Sequence, residues 1–161
     1  MTDVSRPTAS LFQGSATRLS EHFALAEFVH SDTAMRKGID NTPSSEIVAA
    51  LAETAEALEE VRALLGRPLN ITSGYRCAEL NRAVGGVGDS AHLYGFAADF
   101  VCPAFGEPLA ICQALEAGDL LFDQVIQEGT WVHISFDPRM RRQVLTKTAG
   151  GYAEGLKETT P

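Results

Sequence analysis

From Leu19 onward the apolar residues fall into helical spacing first and strand spacing later. The segment LSEHFALAEFVHS (residues 19–31) pairs a cap-like Ser20 with apolar Phe23, Leu25, Phe28 and Val29, which predicts a short helix. A polar connection, DTAMRKGIDNTPSS, follows. Ile47, Leu51, Ala55, Leu58, Val61 and Leu65 then recur on one face of a long helix. Thr42 suits its N-cap, Pro43 its first position, and Glu46 complements the dipole of its first turn. Gly66 ends the helix, with Pro68 just beyond.

After Pro68 the period shortens. Leu69–Thr72 reads as a strand, Cys77–Val84 as a helical turn or two, and GGVGDS (residues 85–90) as a loop. Phe96–Val101 is a strand and Pro108–Ala117 a helix whose proline suits the first turn. Asp123–Gln127 and Trp131–Phe136 are strands joined by Glu128-Gly129-Thr130, a hairpin signature, and Gln143–Thr146 adds an edge strand. The ends differ in character. Residues 1–18 and 150–161 are poor in large apolar groups and read as flexible arms around one domain, residues 19–149. The fold class is α+β, a small, mainly antiparallel sheet covered by helices on one side.

Composition narrows the function. The 161 residues, 45% hydrophobic and 21% charged, fit one domain with a core of its own. Thirteen Lys and Arg against 21 Asp and Glu leave a net charge of −8, which argues against nucleic acid and anionic membranes as partners. No run of eighteen apolar residues spans a bilayer, and the N-terminus shows no apolar signal region, so synthesis in the cytoplasm is expected. Cys77, Cys102 and Cys112, without a C-x-x-C pair, suit reduced and mostly buried thiols. The chain is read as a monomer.

The residues that carry chemistry lie between Ser73 and Ser135. Along Phe96–Val101, Asp99 shares a face with Ala97 and Val101, opposite Ala98 and Phe100. A carboxylate inside an apolar strand needs a partner or a metal. In WVHISF, Val132, Ile134 and Phe136 point to the core, and Trp131, His133 and Ser135 point away. Two strands thus project one ligand-type residue each onto the same side, and the loop carrying His92 can swing over them. Two imidazoles and one carboxylate suit a catalytic zinc with an open position, although other divalent ions accept the same set. A lone strand histidine is usually a packed core or surface residue, so spacing by itself leaves the metal open. Other chemistries fit less well. Gly88-Asp89-Ser90-Ala91-His92 lacks the second glycine of a serine-hydrolase elbow, and GGVG lacks the lysine of a P-loop. Arg139, Arg141, Arg142 and Lys147 read as a solvated basic strip on the edge strand.

The pattern SGYR…LN…SAHLYGFAADF…WVHIS resembles the M15 zinc peptidases: D-Ala-D-Ala carboxypeptidases, phage endopeptidases and their relatives, which share a fold with the hedgehog signalling domain. Every position of the family's S-x-H-x-x-G-x-A-x-D signature is filled between Ser90 and Asp99. The resemblance implies one zinc held by His92, Asp99 and His133, and a peptide of the peptidoglycan stem as substrate. It implies a phage or prophage enzyme that reaches the wall after release or within a virion. It places Arg76 at the substrate carboxylate or the oxyanion. The acid expected two or three positions before the second histidine is absent; Thr130 and Trp131 stand there, and Glu128 is the nearest candidate for general base. Ser90, Tyr94 and Trp131 are expected to contact substrate. The missing acid keeps a second reading open, a non-catalytic module of the same fold that retains the metal and binds the wall or a protein.

Overall fold

The computed structural model describes residues 17–159. Among these residues five helices run α1 (Leu25–Val29), α2 (Asp32–Lys37), α3 (Ser45–Leu65), α4 (Ala78–Ala83) and α5 (Pro108–Ala117). The strands are β1 (Asn70–Ser73), β2 (Ala97–Val101), β3 (Gln124–Gln127), β4 (Val132–Ser135), β5 (Gln143–Thr148) and β6 (Gly151–Glu154), with a 3₁₀ turn at Ala91–Tyr94 before β2. They form one sheet in the order β1-β2-β4-β3-β5-β6, antiparallel except where β5 runs parallel to β3.

Alternation along the central strands divides the sheet into two faces. Ala98, Phe100, Val125, Val132 and Ile134 are fully buried and pack against the α3 stripe and against Ile111, Cys112 and Leu115 of α5. Leu51, Ala55, Leu58, Val61 and Leu65 are buried as the helical spacing predicts, with Ile47 partly covered at the end of the row. All three cysteines are free thiols, two of them buried. Among the described residues no helix is long and apolar enough to cross a membrane.

Several local expectations shift. Helix α3 starts two residues later than Thr42 and Pro43 suggest. Asp40 Oδ1 accepts the Thr42 amide at 3.0 Å, and the Ser44 hydroxyl caps Ile47 N at 3.3 Å. The first helix is short because Ser20 donates to Glu59 Oε1 at 2.7 Å instead of capping, and Arg18 forms an isolated bridge with Ala24. The polar connection contains α2, capped by Ser31, too short and too polar for apolar periodicity to reveal.

The two ends depart from the flexible-arm expectation differently. Residues 1–16 of the expected N-terminal arm lie outside the described residues. In the expected C-terminal tail, Gly151–Glu154 forms β6 on β5, which is therefore not the edge strand. Side chains fasten this segment: Thr146 Oγ1 donates to Gly155 O at 2.8 Å and accepts Lys157 N at 3.0 Å. Gln127 Nε2 reaches Lys157 O at 3.3 Å. Small and polar residues hide such a strand from composition, because main-chain pairing sets its place.

Candidate metal centre

Asp99 and His133 are direct cross-strand neighbours in the β2–β4 register, on the face away from the helices. His92 comes from the 3₁₀ turn. Ser90 caps that turn by accepting His92 N at 3.3 Å. Gly95 closes it with φ 76°, where a Cβ would stand 3.2 Å from Ile47 O of α3. Thr54 Oγ1, also on α3, donates to Gly95 O at 2.7 Å. The long helix thereby holds the turn over the sheet.

Three donor atoms converge there. His92 Nε2 lies 3.2 Å from Asp99 Oδ1 and 3.2 Å from His133 Nδ1, and His133 Nδ1 lies 2.9 Å from Asp99 Oδ1. A tetrahedral site with bonds of ~2.0–2.2 Å has edges of ~3.3–3.6 Å, close to these separations. His92 is 1% exposed, and its Nδ1 sits 2.6 Å from Gly74 O. That contact assigns the proton to Nδ1 and leaves the Nε2 lone pair facing the cluster, the outer-shell arrangement that orients a metal-bound histidine. Burial holds the His92 pKa below its ordinary value, so the ring is neutral. Burial opposes charge on Asp99, but the two imidazoles outweigh it and keep the carboxyl well below the usual carboxylate range. Two imidazole nitrogens and one carboxylate oxygen are a donor set that fits zinc or another divalent cation. His92, Asp99 and His133 are the cluster among the described residues able to hold a metal ion.

The carbonyl of Gly74 depends on its residue being glycine. A Cβ there would stand 2.6 Å from the Cα and O of Phe28. Gly74→Ala is expected to push β1 away from α1, cost about 1–3 kcal/mol of stability and move the acceptor of His92. Thermal unfolding and zinc titration check this. Affinity should fall ~10- to 100-fold, as when other outer-shell partners are lost.

A cleft of about 430 Å³ opens over the cluster. Arg76 enters it just after β1, its amide donating to His92 O at 3.1 Å and its buried Nε lacking a hydrogen-bond partner among the described residues. Glu128 extends the Gln124–Ile126 face by one step, and its amide donates to Trp131 O at 3.1 Å across the hairpin. Its Oε2 is buried without a hydrogen bond, 3.8 Å from Lys147 Nζ. Burial raises its pKa above the ordinary glutamate value, against the pull of His133 and Lys147. Trp131 lines the cleft with Lys147 Nζ 6.0 Å above its ring, and Ser90 lines it from below the turn.

Tyr94 is placed differently from expectation. It is 52% exposed, stacks on Phe96 with ring centroids 6.2 Å apart, and is not part of the cleft lining. In a turn of three residues per revolution, side chains two positions apart diverge, so an inward His92 sends Tyr94 away. The basic strip changes too. Arg139 and Arg141 precede β5 in a loop at the cleft and fork onto Asp137 and Asp123 at 2.8–3.1 Å. Tyr152 of β6 lines the cleft, a position that a disordered reading of the tail passes over. The Ala149-Gly150 turn after QVLTKT is the hairpin signal that marks it.

No curated protein matches the chain significantly. The Peptidase M15 family model matches residues 21–135, more than half of the sequence and all of the metal cluster. The chain belongs to the peptidase M15 family.

Proposed function

We propose that the protein is a zinc-dependent peptidase that hydrolyses bonds in peptidoglycan stem peptides, as a phage or prophage wall-degrading enzyme. The observation that carries the catalytic part is the cleft itself. His92, Asp99 and His133 present three donor atoms on its floor, and Glu128 brings a buried, unpartnered carboxylate oxygen beside them. The stem-peptide part rests on the likeness of the Ser90–Asp99 and Trp131–Ser135 motifs to enzymes of that polymer. In this reading the wall is reached on lysis or within a virion.

His92, Asp99 and His133 would hold one zinc, which when bound supplies Lewis-acid polarisation of the scissile carbonyl and acidifies water. Glu128 accepts the proton of the attacking water and returns it to the leaving amine. Burial disfavours the charged form of this carboxylate in the metal-free protein. Arg76 offers an unpaired Nε–H to the oxygen on which negative charge develops. Trp131 and Ser90 bound the space for the peptide. A binding module without turnover has less support, since its ground was the missing acid before His133, and Glu128 lines the cleft.

Purified peptidoglycan, treated with zinc-loaded protein and analysed by mass, is expected to release fragments cut within stem peptides, and a chelator should stop the release. Retention on the polymer with no new termini would instead favour the binding module.

A further inference from the structure

The β5–β6 hairpin lies beyond the residues matched by the family, yet it forms one wall of the cleft. Lys147 and Tyr152 are cross-strand partners on it, and both face the space above the metal cluster. In sheet order β6 is four strands from Asp99. Tyr152 nonetheless lines the same cleft as Arg76, Asp99 and Glu128. The sheet's twist therefore carries its last strand back toward the site.

Three polar groups from three distant parts of the chain share this space. Among the described residues the Arg76 Nε–H is a buried donor without a hydrogen-bond partner, Glu128 Oε2 is a buried acceptor without one, with Lys147 Nζ 3.8 Å away, and Tyr152 adds a hydroxyl. Orphaned polar atoms in a cleft call for a ligand that completes them. Tyr152 is 53% exposed and outside the hydrophobic core, so packing does not account for its position.

We propose that Tyr152 is a substrate-binding residue that donates its phenolic O–H to the carbonyl oxygen under attack, beside Arg76. This rests on the peptidase reading above. The hydroxyl keeps its proton throughout; it contributes a hydrogen bond that strengthens as charge develops on that oxygen. Burial, with Glu128 and Asp99, raises the phenol pKa above its ordinary value, so it is a donor at neutral pH. The same ring walls the cleft, and the two roles separate by substitution, since Tyr152→Phe keeps the wall and removes the donor.

Two measurements on zinc-loaded wild type, Tyr152→Phe and Tyr152→Ala test this, after metal analysis shows equal zinc content. The first is calorimetric titration with a phosphinate dipeptide, whose anionic tetrahedral group mimics the attacked carbonyl. Tyr152→Phe is expected to bind about tenfold or more weakly. The second is steady-state hydrolysis of a defined stem peptide. Here kcat should fall ~10²-fold with KM nearly unchanged, and Tyr152→Ala should be no slower than Tyr152→Phe apart from a rise in KM. Equal phosphinate affinity in wild type and Tyr152→Phe overturns the proposal, as does equal turnover where the peptide is cut. If wild type cuts no stem peptide, the peptidase reading fails, and the phosphinate titration still decides for or against Tyr152.

Discussion

Glu128→Gln is expected to retain one zinc per chain and to lower stem-peptide turnover by about 10²- to 10⁴-fold, the usual worth of a general base. The amide has nearly the shape of the carboxylate, so the Glu128–Trp131 backbone bond and the hairpin should persist. What is lost is the basic oxygen, which in the wild type is buried and has no hydrogen bond among the described residues. The stability change should have the opposite sign to the activity change. Burial raises the folded-state pKa of Glu128, so the folded chain binds that proton more tightly than the unfolded one. The wild type therefore gains stability from this group as pH falls through the glutamate range, and carries an ionised, desolvated carboxylate at neutral pH. Gln removes that penalty, and metal-free Glu128→Gln should melt no lower than wild type at pH 7. Metal analysis, kinetics and thermal unfolding check the three parts. Turnover equal to wild type would assign the proton transfer to another group. The acid limb of kcat/KM that Glu128 sets should vanish in the variant.

What the sequence revealed follows from the range of each interaction. The faces of β2 and β4 are a local matter, since side chains alternate whatever the strand pairs with. Asp99 and His133 could thus be placed opposite Phe100 and Ile134 before any register was known. Glu128 was legible as the acid nearest to His133, at the hairpin end of the preceding strand. Register supplied what alternation cannot, by setting Asp99 directly against His133. The positions that escaped depend on distant pairing or on turn geometry. Tyr152 reaches the cleft through β5, which pairs in parallel with β3, and no local pattern in GYAE encodes that partner. Tyr94 was misplaced because its neighbourhood coils into a 3₁₀ turn. The helix α2 has a cap and a glycine stop but too few apolar residues to show a period.

His133→Ala should abolish the stabilisation that zinc gives. For wild type, free zinc at a thousand times its dissociation constant adds about 4 kcal/mol to the unfolding free energy, seen as a rise in melting temperature over chelated protein. The variant leaves His92 and Asp99, two ligands from a turn and a strand, which do not close a site with three protein ligands. Its melting temperature should then be the same with zinc and with chelator. The chelated proteins should also differ. His133 Nδ1 is 2.9 Å from Asp99 Oδ1, and its loss withdraws that contact from a buried carboxylate. Leaving a buried polar group without its partner costs about 1–3 kcal/mol, and more when it is charged, so metal-free His133→Ala should melt below metal-free wild type. The two effects separate because one needs zinc and the other does not. A zinc-dependent rise of full size in His133→Ala would remove His133 from the ligand set, and with it the open-sided site on which the peptidase reading depends.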